Sequence, residues 1–127
     1  MPGEVILIIE DDQQIAGLVA AVLGEAGYRP HLVRDVHAAR AEAERGLAPV
    51  AVVSDLMVAG SGGPHQLMTE LHAIFPSVPV TLMTGVPPKR RAAMGVIHDH
   101  IIEKPFELEA LLESIARMVA GSGKPAS

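Results

Sequence analysis

A chain of 127 residues can enclose one hydrophobic core and is too short for two domains. With 49% apolar residues wholesale disorder is excluded, and with no cysteine so are disulfide frameworks, thiolate zinc sites and cysteine nucleophiles. The net charge of −5 opposes direct nucleic-acid binding, and no apolar run or signal-type segment suggests a membrane, so the expectation is a soluble cytoplasmic protein.

Val5 to Ile9 (V-I-L-I-I) predicts a first strand, ending on Glu10-Asp11-Asp12. Ile15, Leu18, Val19, Val22, Leu23 and Ala26 then recur at helical spacing, with Asp11 or Asp12 as N-cap and Gly27 at the left-handed C-terminal position. Arg29–Arg34 is a weaker strand whose Pro30 suits an edge. Asp35 caps a second helix from Val36 to about Arg45, closed by Gly46. The run Pro49–Asp55 is a third strand, buried on both faces and ending on a carboxylate. A small-residue loop follows, and Pro64 opens a third helix whose apolar face is Leu67, Leu71, Ile74 and Phe75. Val78–Met83 is a fourth strand, ending on Thr84-Gly85. Pro87-Pro88 breaks the chain before a short helix, Lys89 to about Met94. His100–Glu103 is a last strand, followed by Lys104-Pro105. Leu108, Leu111, Leu112, Ile115 and Val119 form the apolar stripe of the final helix, and residues 121–127 read as a flexible tail behind a domain of residues 1–120.

Strands that alternate with helices predict an α/β, flavodoxin-like (βα)5 sandwich of three layers. Right-handed crossovers favour a parallel five-stranded sheet of order 2-1-3-4-5. Strands one and three are neighbours in that order, so Glu10, Asp11 and Asp55 share one crevice at the carboxyl edge. Two carboxylates about 5 Å apart repel by roughly 3 kcal/mol at an effective dielectric of about 20. A cluster of three therefore needs full solvation or a neutralising partner, for which a hard divalent cation with oxygen ligands is the natural choice. Lys104 and Thr84, at neighbouring strand ends, add an ammonium and a hydroxyl that can hold phosphoryl oxygens. The set reads as a phosphoryl-transfer site with a nucleophilic carboxylate.

The ordered motifs E-D-D after strand one, D at the end of strand three, T-G after strand four and K-P-F after strand five resemble the response-regulator receiver domain, the phosphoacceptor half of two-component signalling. The resemblance covers Val5 to about Val119. It implies Asp55 as phosphoacceptor, Asp11 as a direct Mg²⁺ ligand and Glu10 acting through water. It further implies the Met57 backbone carbonyl as a third protein ligand, Thr84 as the switch hydroxyl, and Lys104 as the lysine that holds the phosphoryl group, with Lys104–Pro105 cis. The implied donor is a sensor histidine kinase or a histidine phosphotransfer protein, and the implied state is a monomer or weak dimer. The chain departs from the family pattern in three places: Ala59 replaces the usual loop proline, Ile101 stands where an aromatic often turns inward on activation, and the segment between Thr84 and Lys104 is a little shorter than common, with Pro87-Pro88 trimming its helix.

Two other functions are set beside this one. In the family the fourth helix and fifth strand commonly form the output face, and its alteration here suits a receiver-like interaction module that works without phosphorylation. An aspartate-nucleophile phosphatase usually carries D-x-D after its first strand, whereas here the acids are adjacent and Asp55 is on another strand. His98-Asp99-His100, His65 and His72 read as solvated positions, and Lys89-Arg90-Arg91 as an exposed basic face.

Overall fold

The computed structural model describes residues 3–56, 63–85, 89–90, 101–103 and 108–122. Five strands, β1 (Val5–Ile9), β2 (Arg29–Val33), β3 (Ala51–Asp55), β4 (Val80–Thr84) and β5 (Ile101–Glu103), form one sheet of order β2-β1-β3-β4-β5. Every pairing is parallel. Four helices are described: α1 (Gln13–Glu25), α2 (Val36–Glu44), α3 (Pro64–Ile74) and α4 (Leu108–Ser122).

Strand alternation divides the core between the two sheet faces. From β1, Ile6 and Ile8 pack with Val19 and Leu23 of α1 and with Leu111, Ile115 and Met118 of α4. Leu7 and Ile9 pack on the other face with Val36 and Ala39 of α2 and with Leu67 and Leu71 of α3, next to Phe75. Each fully buried Leu or Ile contributes about 1.5–3 kcal/mol relative to leaving it in water. The β1 and β3 interiors are buried on both faces, which is why they read as unbroken apolar runs.

Local chemistry sets the ends of α1 and α2. Asp12 Oδ1 accepts the backbone N–H groups of Gln14 (2.9 Å) and Ile15 (3.2 Å), which settles the N-cap in its favour over Asp11. At the other end Gly27 has φ +96° and donates to the Gly24 carbonyl, while Tyr28 N–H reaches back to Leu23. Those two bonds are a Schellman closure, which needs a residue tolerant of positive φ. Asp35 and Gly46 repeat the arrangement around α2.

The structure revises several expected boundaries. In α1 only Ala16, Val19 and Leu23 are buried, while Leu18 is 51% exposed and Ala26 is the exposed C-cap. Successive residues turn about 100° around a helix, so a six-residue stripe is wider than the sheet covers. β4 begins at Val80, two residues late, and takes in Thr84. Helix α4 runs on through Gly121 to Ser122, because one glycine weakens a helix without ending it. Of the short helix expected from Lys89, only residues 89–90 are described, and both are helical. Among the described residues no helix is long and apolar enough to cross a membrane.

Candidate functional site

The site is built where β1 and β3 leave the sheet side by side. Their register pairs Ile9 with Ser54, so the next residues, Glu10 and Asp55, emerge at the same edge. Glu10 is only 2% exposed, and its carboxylate accepts the backbone N–H of Asp12 at 3.3 Å. Asp11 is exposed and Asp55 half-buried. One carboxylate oxygen from each of Glu10, Asp11 and Asp55 lies within 4.8 Å of the others. Asp12 is turned away to cap α1 and stands outside this group.

Three carboxylates so close repel one another, and a buried member such as Glu10 cannot rely on water alone. The donor set suits a hard cation. With Mg–O bonds near 2.1 Å, ligand oxygens on an octahedral Mg²⁺ sit about 3 Å apart when cis and about 4.2 Å when trans. A 4.8 Å spread is close to that span if one carboxylate acts through a bound water.

Thr84 ends β4 and is 1% exposed. Asp55 pairs with Met83, so Thr84 stands one residue farther along the adjacent strand, on the same edge. Glu103 of β5 is in register with Thr84, which brings that strand to the edge immediately before position 104. Lys104, Met57, Ala59, Pro105 and the segment His98-Asp99-His100 lie outside the described residues. His65 and His72 are exposed on α3, as their sequence context suggests.

Comparison with known proteins agrees with this arrangement. The family model for the response regulator receiver domain matches residues 6–116. The chain belongs to that family. Among curated relatives, this receiver domain is 29% identical over 120 residues to the regulatory protein VanRB of Enterococcus faecalis, covering 93% of this chain and 53% of that one. It is 33% identical over 115 residues to the C4-dicarboxylate transport transcriptional regulatory protein DctD of Pseudomonas aeruginosa, covering 88% of this chain and 24% of DctD. The chain thus spans about half the length of the first relative and about a quarter of the second. Among solved structures, the signal receiver domain of a signal transduction histidine kinase from Syntrophus aciditrophicus superposes with a TM-score of 0.83 at 24% identity, over 98% of this chain and 96% of that one. Receiver domains of response regulators work with sensor histidine kinases and typically bind Mg²⁺ at an acidic pocket, and an acidic cluster of that kind is present here.

Sequence reading passed over the buried hydroxyls of this receiver domain. Ser54, in the middle of the sheet, is 0% exposed and donates to the carbonyl oxygen of Asp55 at 3.0 Å. Thr81 of β4 bonds Ser114 of α4 at 3.0 Å and donates to the Met118 sulfur at 3.0 Å. Thr81 has a single proton, so Ser114 is the donor to Thr81. Ser and Thr are ordinary strand or helix residues by type. The one available signal was a polar residue at an interior position of an otherwise apolar run.

Proposed function

We propose that this receiver domain accepts a phosphoryl group on Asp55 from a phosphohistidine of a sensor histidine kinase or a histidine phosphotransfer protein. The observation that carries the reading is the convergence of Glu10, Asp11 and Asp55 within 4.8 Å at the carboxyl ends of two adjacent parallel strands. Ligands of open α/β sheets bind at that edge.

An Asp55 carboxylate oxygen forms the new O–P bond while the P–N bond to the donor imidazole breaks and its electron pair stays on nitrogen. Asp11, Asp55 and the Met57 carbonyl would hold Mg²⁺ directly, and Glu10 would do so through water. When bound, that ion offsets the combined charge of the carboxylates and the phosphoryl oxygens. The Asp12 amide orients Glu10 toward the cluster, and capping by Asp12 keeps a fourth carboxylate out of it. The Thr84 hydroxyl and Lys104 ammonium hold phosphoryl oxygens of the product. Drawing Thr84 toward the phosphoryl group shifts the following loop and selects one of two states that partners distinguish. Hydrolysis of the acyl phosphate resets the domain. The domain is a signalling switch, and its chemistry is confined to its own phosphorylation and dephosphorylation.

Delivery of a phosphohistidine to Asp55 requires the donor protein to cover the carboxyl edge, where α1 begins. Leu18, half-exposed on the outer flank of that helix, is an apolar contact for such a partner. Acetyl phosphate with Mg²⁺ tests the acceptor assignment. Wild type acquires one phosphoryl group that hydroxylamine and alkali remove and that does not form in EDTA, and Asp55→Asn acquires none while keeping its circular dichroism spectrum. Labelling of Asp55→Asn at another residue would overturn the assignment.

A further inference from the structure

From the strand geometry around Asp55 we infer that Ser54 is a positioning residue for that carboxylate. The inference rests on the reading of Asp55 as phosphoacceptor and magnesium ligand. The β1–β3 ladder ends at the Ile9–Ser54 pair, and Asp55, one residue farther on, has a strand partner only on the β4 side. That opening gives ligands access to the carboxylate, and it leaves the peptide that follows Asp55 beyond the end of the β1–β3 ladder.

The peptide unit joining Asp55 to Leu56 is nevertheless held at both ends. Its carbonyl oxygen accepts the Ser54 hydroxyl at 3.0 Å, and its N–H donates to the Met83 carbonyl at 2.8 Å. Fixing that plane fixes ψ of Asp55 and φ of Leu56, hence the direction in which the chain leaves the sheet. Met83 immediately precedes Thr84, so the second bond also ties the acceptor backbone to the strand end that carries the switch hydroxyl.

The cost of the serine argues for a purpose. Its hydroxyl is 0% exposed and is flanked in the sheet by Ile9 and Leu82, both 0% exposed. A valine there would satisfy strand preference and burial with no polar group to satisfy. Among the described residues the hydroxyl has one partner, the Asp55 carbonyl. Ser54 is not part of the carboxylate cluster, and its action on the site passes through the Asp55 backbone.

The test compares wild type with Ser54→Ala, Ser54→Thr and Ser54→Cys, reading the initial rate of acetyl phosphate labelling at saturating Mg²⁺. Mg²⁺ affinity is read separately by calorimetry without phosphodonor, and thermal midpoint by circular dichroism. Ser54→Ala is expected to label about tenfold more slowly and to bind Mg²⁺ several-fold more weakly while remaining folded at the assay temperature. Ser54→Thr keeps the donor and recovers most of both values, whereas Ser54→Cys, a poor donor of similar size, does not. If Ser54→Ala fails to fold, the Thr-against-Cys comparison carries the same decision. Rates and affinities of Ser54→Ala within about twofold of wild type, less than is lost when a group that orients a metal ligand is removed, would overturn the inference even if its midpoint fell. So would a folded Ser54→Thr as impaired as the Cys variant. Absence of labelling in wild type would instead sink the acceptor reading, and the Mg²⁺ affinities would still decide the role of Ser54.

Discussion

Asp55→Asn should make the metal-free protein more stable and at the same time less responsive to Mg²⁺. The three carboxylates of the cluster approach within 4.8 Å, a separation at which two unit charges repel by about 0.9 kcal/mol in water and about 3.5 kcal/mol at an effective dielectric of about 20. Asparagine at position 55 removes two of the three pair repulsions, which brackets the gain between about 2 and 7 kcal/mol before screening. Asp11 is exposed, and salt and side-chain rotation discount the figure further. A net gain of about 1–2 kcal/mol is expected, which for a domain of this size raises the thermal midpoint by about 4–8 °C. Mg²⁺ acts in the opposite sense. At a hundred times its dissociation constant, the ion stabilises wild type by about 2.7 kcal/mol through mass action, and a variant missing one ligand gains far less. Thermal scans in EDTA and in saturating Mg²⁺ should therefore show the two midpoints drawing together or changing order. A lower midpoint for Asp55→Asn in EDTA, or an equal Mg²⁺-induced rise in both proteins, would refute the electrostatic account of the cluster.

Three further outcomes follow from named contacts. Thr81→Val leaves the buried Ser114 hydroxyl without its acceptor and should cost about 1–3 kcal/mol in urea unfolding. The double variant Thr81→Val/Ser114→Ala should then cost less than the sum of the singles by about 1 kcal/mol, and strict additivity would show that the pair is not coupled. Asp12→Ala removes the cap of α1 and should cost about 1 kcal/mol with no change in Mg²⁺ affinity. A loss of affinity matching that of Asp11→Asn would make Asp12 a ligand. Leu18→Arg should leave labelling by acetyl phosphate untouched and weaken transfer from a cognate histidine kinase by about tenfold. Unchanged transfer would remove the outer flank of α1 from the docking surface.

Much of the fold was legible because its signals are local. The apolar runs of β1 and β3, the Asp12 and Asp35 caps, and the glycines at 27 and 46 each declare themselves within a few residues. Pro30 marked β2 as an edge strand, and it pairs with β1 alone. The misjudged positions are those where a neighbour decides. Leu18 belongs to the apolar stripe of α1 by spacing, yet it is half-exposed. Ser54 and Thr81 look unremarkable by residue type, and only the packing around them shows that each is sealed from water and bonded.

Glu10, Asp11, Asp55 and Thr84 could be picked out from the chain alone, because a charged or polar residue closing an apolar strand is conspicuous in one dimension. Their meeting at one edge followed from the expected strand order, but how closely they approach and how deeply Glu10 is buried did not, since both depend on how the paired strands pack. The parallel order that sets β1 beside β3 brings the carboxylates within 4.8 Å, buries Glu10 and ends the β1 ladder one residue short of Asp55. Side-chain period and solvation act over a few residues and are written in the sequence. Proximity, desolvation and the pinning of the Asp55 peptide are properties of the packed sheet, and the tertiary structure decided them.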